Sequence, residues 1–209
     1  MMTARIEPLL GQDARTVGWL LAASYSADPA FRALWPDSGV RARVLRALLT
    51  ASAQDAARCG GAVLAKDGVG AVGVALWLPP GMYPLSMVRF ALQTPALARA
   101  AFAAPAAFPR YASVSARLAR DLSPKRTGEL DWYLRAMGVH PRARRRGVGA
   151  LLLAPVLARA DEEGARCRLH TSDPTNVPYY ERFGFRVQPP MFRARRDGPS
   201  YLGMIRPPG

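Results

Sequence analysis

The stretch from Met137 to Leu153 constrains this chain more than any other. A run ending at Val139 gives way to His140-Pro141, then to Arg142-Ala143-Arg144-Arg145-Arg146-Gly147-Val148-Gly149-Ala150, and then to three leucines. The pattern reads as a strand, a proline-forced turn and the start of an apolar helix. Glycines there let the main chain approach a ligand without a side chain in the way. Unpaired amides at the helix start point at an anion, and the helix dipole assists them. Arg142, Arg144, Arg145 and Arg146 add charge suited to a pyrophosphate or another phosphate group. The order lacks both the Gly-x-Gly-x-x-Gly arrangement and the Gly-Lys-Ser/Thr ending of the familiar nucleotide loops. The alternative is an ordinary strand-to-helix turn carrying a solvated basic run.

The rest of the chain supplies a sheet and helices around this loop. A strand is expected at Arg5–Leu9, then a helix capped by Asp13 and ended by Asp28-Pro29. A second helix from Val40 to Arg58 stops at Gly60-Gly61. Ala62–Ala65 and Val69–Leu78 read as a hairpin about Lys66-Asp67-Gly68. Residues 85–122 are rich in Ala, Leu and Arg, and Pro95, Pro105 and Pro109 break them into two or three short helices. Glu129–Val139 reads as a long strand, Gly147–Gly164 as a helix and Arg166–Thr171 as a strand. Asn176–Phe183 reads as a short helix, and Phe185–Phe192 and Ser200–Ile205 as closing strands. Alternating helices and strands indicate an α/β or α+β sheet domain, read as a single unit over residues 1–209.

Composition narrows the class. Half of the residues are hydrophobic, as in a globular chain, and no apolar run reaches the length of a membrane-spanning helix. The N-terminus lacks the apolar stretch of a secretory signal, so a soluble cytoplasmic protein is expected. Two cysteines, Cys59 and Cys167, and two histidines provide neither a disulfide framework nor a structural zinc set. The net charge of +14 invites nucleic acid, yet all but two of the 29 basic residues are arginine and no recognition motif accompanies them. Genome composition explains that bias more simply than a binding face.

Two motifs together carry a resemblance. Val139-x-Pro141, then Arg144-x-x-Gly147-x-Gly149, resembles the acetyl-CoA signature of the GNAT acyltransferase superfamily. Downstream, Asn176-x-x-x-Tyr180-x-x-x-Gly184-Phe185 resembles a second stretch of that family. His140-Pro141, Pro155, Thr171-Ser172 and Tyr180-Glu181-Arg182 are similar to puromycin N-acetyltransferase-like enzymes in particular. The resemblance implies a mostly antiparallel sheet splayed at one parallel strand pair, with helices on both faces and an acetyl-CoA-binding core over residues 129–185. It implies that the main chain of Met137 and Val139 pairs with pantetheine. The amides of Arg144, Arg145, Arg146, Gly147, Val148, Gly149 and Ala150 would hold the pyrophosphate, and Asn176 would touch the pantetheine arm. Tyr180 would protonate the departing thiolate; taken alone, Tyr180 and Phe185 read more commonly as aromatic core. Where the similar enzymes carry a glutamate, this chain has His170, so that carboxylate's role does not carry over.

The expected reaction is direct acetyl transfer from acetyl-CoA to the amine of a small molecule, with no metal. An amine must be neutral to attack, so a proton acceptor is needed, and His170 is a candidate by its near-neutral reference pKa. Glu129 and Asp131 share one side of their strand as further acids. Trp35, Trp77, Tyr83, Tyr111 and Trp132 are candidate lining for the acceptor, and the 85–122 insertion a candidate cover. A protein or peptide acceptor, or a non-catalytic CoA sensor, are the alternatives. A monomer or a homodimer is expected.

Overall fold

The computed structural model describes residues 4–122, 131–193 and 200–209. Seven strands form one sheet: β1 (Arg5–Pro8), β2 (Val63–Asp67), β3 (Gly70–Leu78), β4 (Asp131–Val139), β5 (Arg166–Thr171), β6 (Arg186–Arg193) and β7 (Ser200–Arg206). Their order is β1-β2-β3-β4-β5-β7-β6, and every neighbouring pair is antiparallel except β4 with β5. Helices α1 (Ala14–Ser24), α2 (Pro29–Leu34), α3 (Ser38–Cys59), α4 (Met87–Ala103), α5 (Phe108–Asp121), α6 (Val148–Glu162) and α7 (Val177–Glu181) complete the order of elements. The sheet buries a separate apolar cluster on each face. Leu21, Leu45, Leu64 and Leu76 pack with α1 and α3 on one side; Trp77, Trp132, Leu152 and Phe185 pack with α6 on the other.

Turn chemistry explains most boundaries. The β2–β3 hairpin closes where the Asp67 carboxylate accepts the amides of Val69 and Gly70. Asp37 accepts the Val40 amide at the start of α3, and Gly60, at φ 73°, ends that helix in the left-handed region.

Three expectations need correction. Asp28-Pro29 does not merely end a helix; it starts α2, because the Asp28 carboxylate takes the amides of Ala30 and Phe31 and Pro29 fits the first helical position. Pro95 does not break its segment but lies inside the 17-residue α4. Burial of Gln93, Ala96 and Ala100 and the Arg89–Asp55 ion pair to α3 (2.7 Å) outweigh the local cost. Asp13 makes no capping bond and instead pairs with Lys66.

The feature that positions the site is the parting of β4 from β5. Their pairing runs from Asp131 opposite Arg166 to Leu134 opposite Leu169 and then stops. From there β4 continues along β3 to Val139, while β5 continues along β7 to Thr171. A wedge thus opens between two strands of one sheet, and α6 begins at its wide end.

Candidate active site

Parity along β4 decides what faces the wedge. In an antiparallel ladder a residue turns both main-chain groups to the same neighbour, and the next residue turns them the other way. The His140 amide donates to Val72 of β3, which puts residues 138 and 140 on the β3 side. Met137 and Val139 therefore present their amides and carbonyls to the wedge. The Met137 amide donates to the Tyr25 hydroxyl at 3.1 Å, and the Val139 carbonyl accepts from Arg144 Nε at 3.2 Å. Side chains, not a strand, meet these groups.

The loop that follows is shaped for an anion. Arg145 is held at φ 59° and Gly147 at φ 79°, and left-handed residues in such a turn are the kind that form anion-binding concavities of main-chain amides. Arg145 is not a glycine, so its conformation is strained and fixed by the surrounding loop. No side chain caps α6, which leaves the first-turn amides of Val148, Gly149 and Ala150 for a ligand. Arg144, Arg145 and Arg146 are exposed around this mouth. Arg142 in the same run pairs with Asp67 at 3.1 Å.

Helix α7 forms the opposite wall. Tyr180 is packed against Phe185 and Tyr179, and burial pushes its phenol well above the ordinary tyrosine value, so it stays protonated. Tyr179 points elsewhere: a Cβ on Gly149 would fall 2.2 Å from its hydroxyl. That hydroxyl is buried and has no hydrogen-bond partner among the described residues. A cradle so tight at Gly149, beside an orphaned hydroxyl and uncapped amides, fits the phosphate end of a CoA. Asn176 donates to Thr171 Oγ1 at 3.3 Å and pins the start of α7 to the end of β5.

Two site residues were not singled out from sequence. Tyr25, at the end of α1, and Asp28, three residues on, both reach the wedge. Tyr25 lies within electrostatic reach of Tyr180, Tyr133 and Asp28. Burial pushes its phenol up to about 12. The Ser172 hydroxyl donates to both oxygens of Asp28 at 2.8 Å, yet burial still raises that carboxyl above its usual range. The available signal was local: Asp28 before a proline marks a helix start, and a helix start near a cleft is where a carboxylate gains amide partners.

His170 lies beside Tyr133, ring centroids 5.9 Å apart, and its Nδ1 has no partner among the described residues. Burial lowers its pKa to about 4, so the imidazole is neutral at neutral pH. Asp131 accepts from Arg166 and Arg168 and is committed to that pair; Glu129 lies outside the described residues. Trp77 and Trp132 do not face the acceptor side, for both are buried in the cluster under α6, and Trp132 donates to Glu163. Trp35, Tyr83 and Tyr111 lie on the α1–α3 face, where Tyr83 packs on Tyr133 and Tyr111 on Trp35. The Cys167 thiol is buried and pushed up to about 12, which suits packing rather than nucleophilic attack.

Comparison with known proteins agrees with this geometry. Residues 106–185 match the acetyltransferase (GNAT) family. A Corynebacterium glutamicum structure described as histone acetyltransferase HPA2 and related acetyltransferase is 26% identical, with a TM-score of 0.68 over 100% of this chain and 98% of the other. The polyamine N-acetyltransferase of Drosophila melanogaster is 14% identical, with a TM-score of 0.64 over 98% of this chain and all of its own. PaiA N-acetyltransferase from Thermoplasma acidophilum, solved with coenzyme A, is 12% identical, with a TM-score of 0.60 over 99% of this chain and all of its own. The wedge between β4 and β5 and the phosphate cradle thus fall within the segment that matches the acetyltransferase (GNAT) family, in a chain whose fold is shared with solved acetyltransferases.

Proposed function

We propose that this enzyme moves the acetyl group of acetyl-CoA directly to the amine of a small molecule. The observation that carries the reading is the wedge between β4 and β5, which runs from an uncapped helix start to a buried tyrosine. Pantetheine would lie along Met137 and Val139, and the pyrophosphate on the amides from Arg144 to Ala150. The amine would enter from the α1–α3 side, beneath the 85–122 helices, which we assign to the same single domain. Phe31, Trp35, Tyr83 and Tyr111 there suit an apolar or flat amine, and Asp28 suits its charge.

The incoming ammonium gives a proton to a base, either directly or through water. His170, neutral by burial, and Asp28, which accepts from the Ser172 hydroxyl and lies within electrostatic reach of Tyr25, are candidates for that role. The nitrogen lone pair then forms the C–N bond, and the C–S bond breaks as Tyr180 gives its proton to the thiolate. The second proton, shed by the new amide nitrogen, returns through water to the Tyr180 phenolate. Both molecules are bound at once, so no acyl-enzyme forms. The names of solved relatives, including a polyamine acetyltransferase, support an amine acceptor. The histone acetyltransferase in another name favours a peptide acceptor, but a chain of net charge +14 repels basic tails.

Tyr180→Phe tests the assignment. The expected result is a kcat lowered by about 10- to 100-fold, with acetyl-CoA affinity unchanged, in line with loss of one general acid. Wild-type turnover in this variant would remove Tyr180 from the chemistry.

A further inference from the structure

We infer that the Tyr25 hydroxyl is a second oxyanion donor, acting beside the Met137 amide on the thioester carbonyl during acetyl transfer. The inference rests on the acetyl-CoA reading of the wedge but concerns a residue that neither signature motif contains.

The geometry begins at Gly138. A Cβ there would lie 2.8 Å from Ser24 Oγ and 2.9 Å from Leu21 Cδ2, so only glycine lets the end of α1 lie this close to β4. Tyr25 is the residue that closes α1, its amide bonded to the Leu21 carbonyl. That close approach carries the phenol over the edge of β4 and onto the Met137 amide, which faces away from β3. The oxygen of Tyr25 thus stands where an oxygen is wanted, at hydrogen-bond distance from a main-chain donor at the parting of the strands. Its own proton is given to no group among the described residues. A buried hydroxyl in that condition keeps an unused donor at the site.

When a thioester carbonyl takes the place at the Met137 amide, the phenol needs to move only aside to donate to the same oxygen. As the amine nitrogen forms its bond to the carbonyl carbon, the carbon–oxygen π pair moves onto that oxygen. Two donors, one main-chain and one phenolic, then meet the negative charge. The pair returns as the C–S bond breaks, and Tyr25 keeps its proton throughout. Donors fixed before the reaction and shielded from water are the strongest form of such stabilisation. Burial raises the Tyr25 phenol, which keeps it a donor and not a proton source, and so separates its role from that of Tyr180.

The test needs no knowledge of the acceptor amine. Acetyl-CoA labelled with carbon-13 at the carbonyl is bound to the enzyme, and its carbonyl stretch is read by difference infrared spectroscopy. Two donors should shift the wild-type band to lower frequency than in water, and Tyr25→Phe should return part of that shift while affinity for acetyl-CoA stays within about threefold. A band identical in the wild type and Tyr25→Phe overturns the inference. Absence of acetyl-CoA binding by the wild type overturns the underlying reading, which is a distinct outcome. If Tyr25→Phe does not fold, fluorotyrosine placed at position 25 alone provides the second arm. A more acidic phenol must lower the frequency further, and an unmoved band again overturns the inference.

Discussion

At Gly149 the chain shows how one hydrogen atom can decide a site. A methyl group there would overlap the Tyr179 hydroxyl, so Gly149→Ala should cost about 1–3 kcal/mol as an overpacked contact. Thermal unfolding would measure it, and Tyr179→Phe in the same chain should restore most of the loss. His170 gives a second prediction at this scale. Its folded pKa, about 4, lies below the unfolded value of about 6.5, so the folded chain binds fewer protons between those values. Stability from this group is complete above pH 6.5 and is lost as pH falls toward 4. The drop in unfolding free energy across that window should be smaller in His170→Gln than in the wild type. Asp28, raised by burial, works in the opposite sense, which is why the comparison between the two proteins is the informative one.

At the scale of elements, the corner joining α1, α2 and α3 positions Tyr25 and Asp28, the groups proposed to act on the thioester and the amine. Arg41, 9% exposed, donates to the carbonyls of Ser26, Trp35 and Pro36 and so fixes the loop that carries Asp28. Arg41→Met would orphan these carbonyls and should destabilise the chain by about 2–4 kcal/mol, with Arg41→Lys only partly compensating. Denaturant unfolding of the two variants would check both the size and the order. This corner was the least legible part of the site. Local spacing exposes the cradle, because Arg144, Gly147 and Gly149 are near neighbours in sequence. Tyr180 likewise shows itself by its fixed distance from Asn176 and Gly184. Tyr25 meets Met137 across more than a hundred residues, through a helix seated on Gly138, and no short-range pattern encodes that meeting. Trp77 and Trp132 were misplaced for a related reason: strand alternation says two faces exist but not which face holds the acceptor.

Over the whole molecule, the sheet order and the single parallel pair follow the architecture that the two motifs imply, with a helix-covered core on each face. The positive balance of the chain has a consequence at this scale. A polyanionic CoA should bind more weakly as salt rises, since exposed arginines at the mouth of the cradle are screened within about 10 Å at 0.1 M ionic strength. Helix α5 places Tyr111 against Trp35, so changes there should alter the choice of amine more than the affinity for acetyl-CoA. Tyr111→Ala, assayed against several amines, would show a changed ratio of kcat/KM values with acetyl-CoA binding intact.

The central claim, acetyl transfer to a small amine, is most directly tested by mass spectrometry of products. The enzyme is incubated with acetyl-CoA and a panel of aryl amines, polyamines, aminoglycosides, aminoacyl-nucleosides and one basic peptide. The account expects an N-acetylated small molecule appearing in step with free CoA. Acetylation of the peptide alone, or no acetylated product while acetyl-CoA binds, would contradict it.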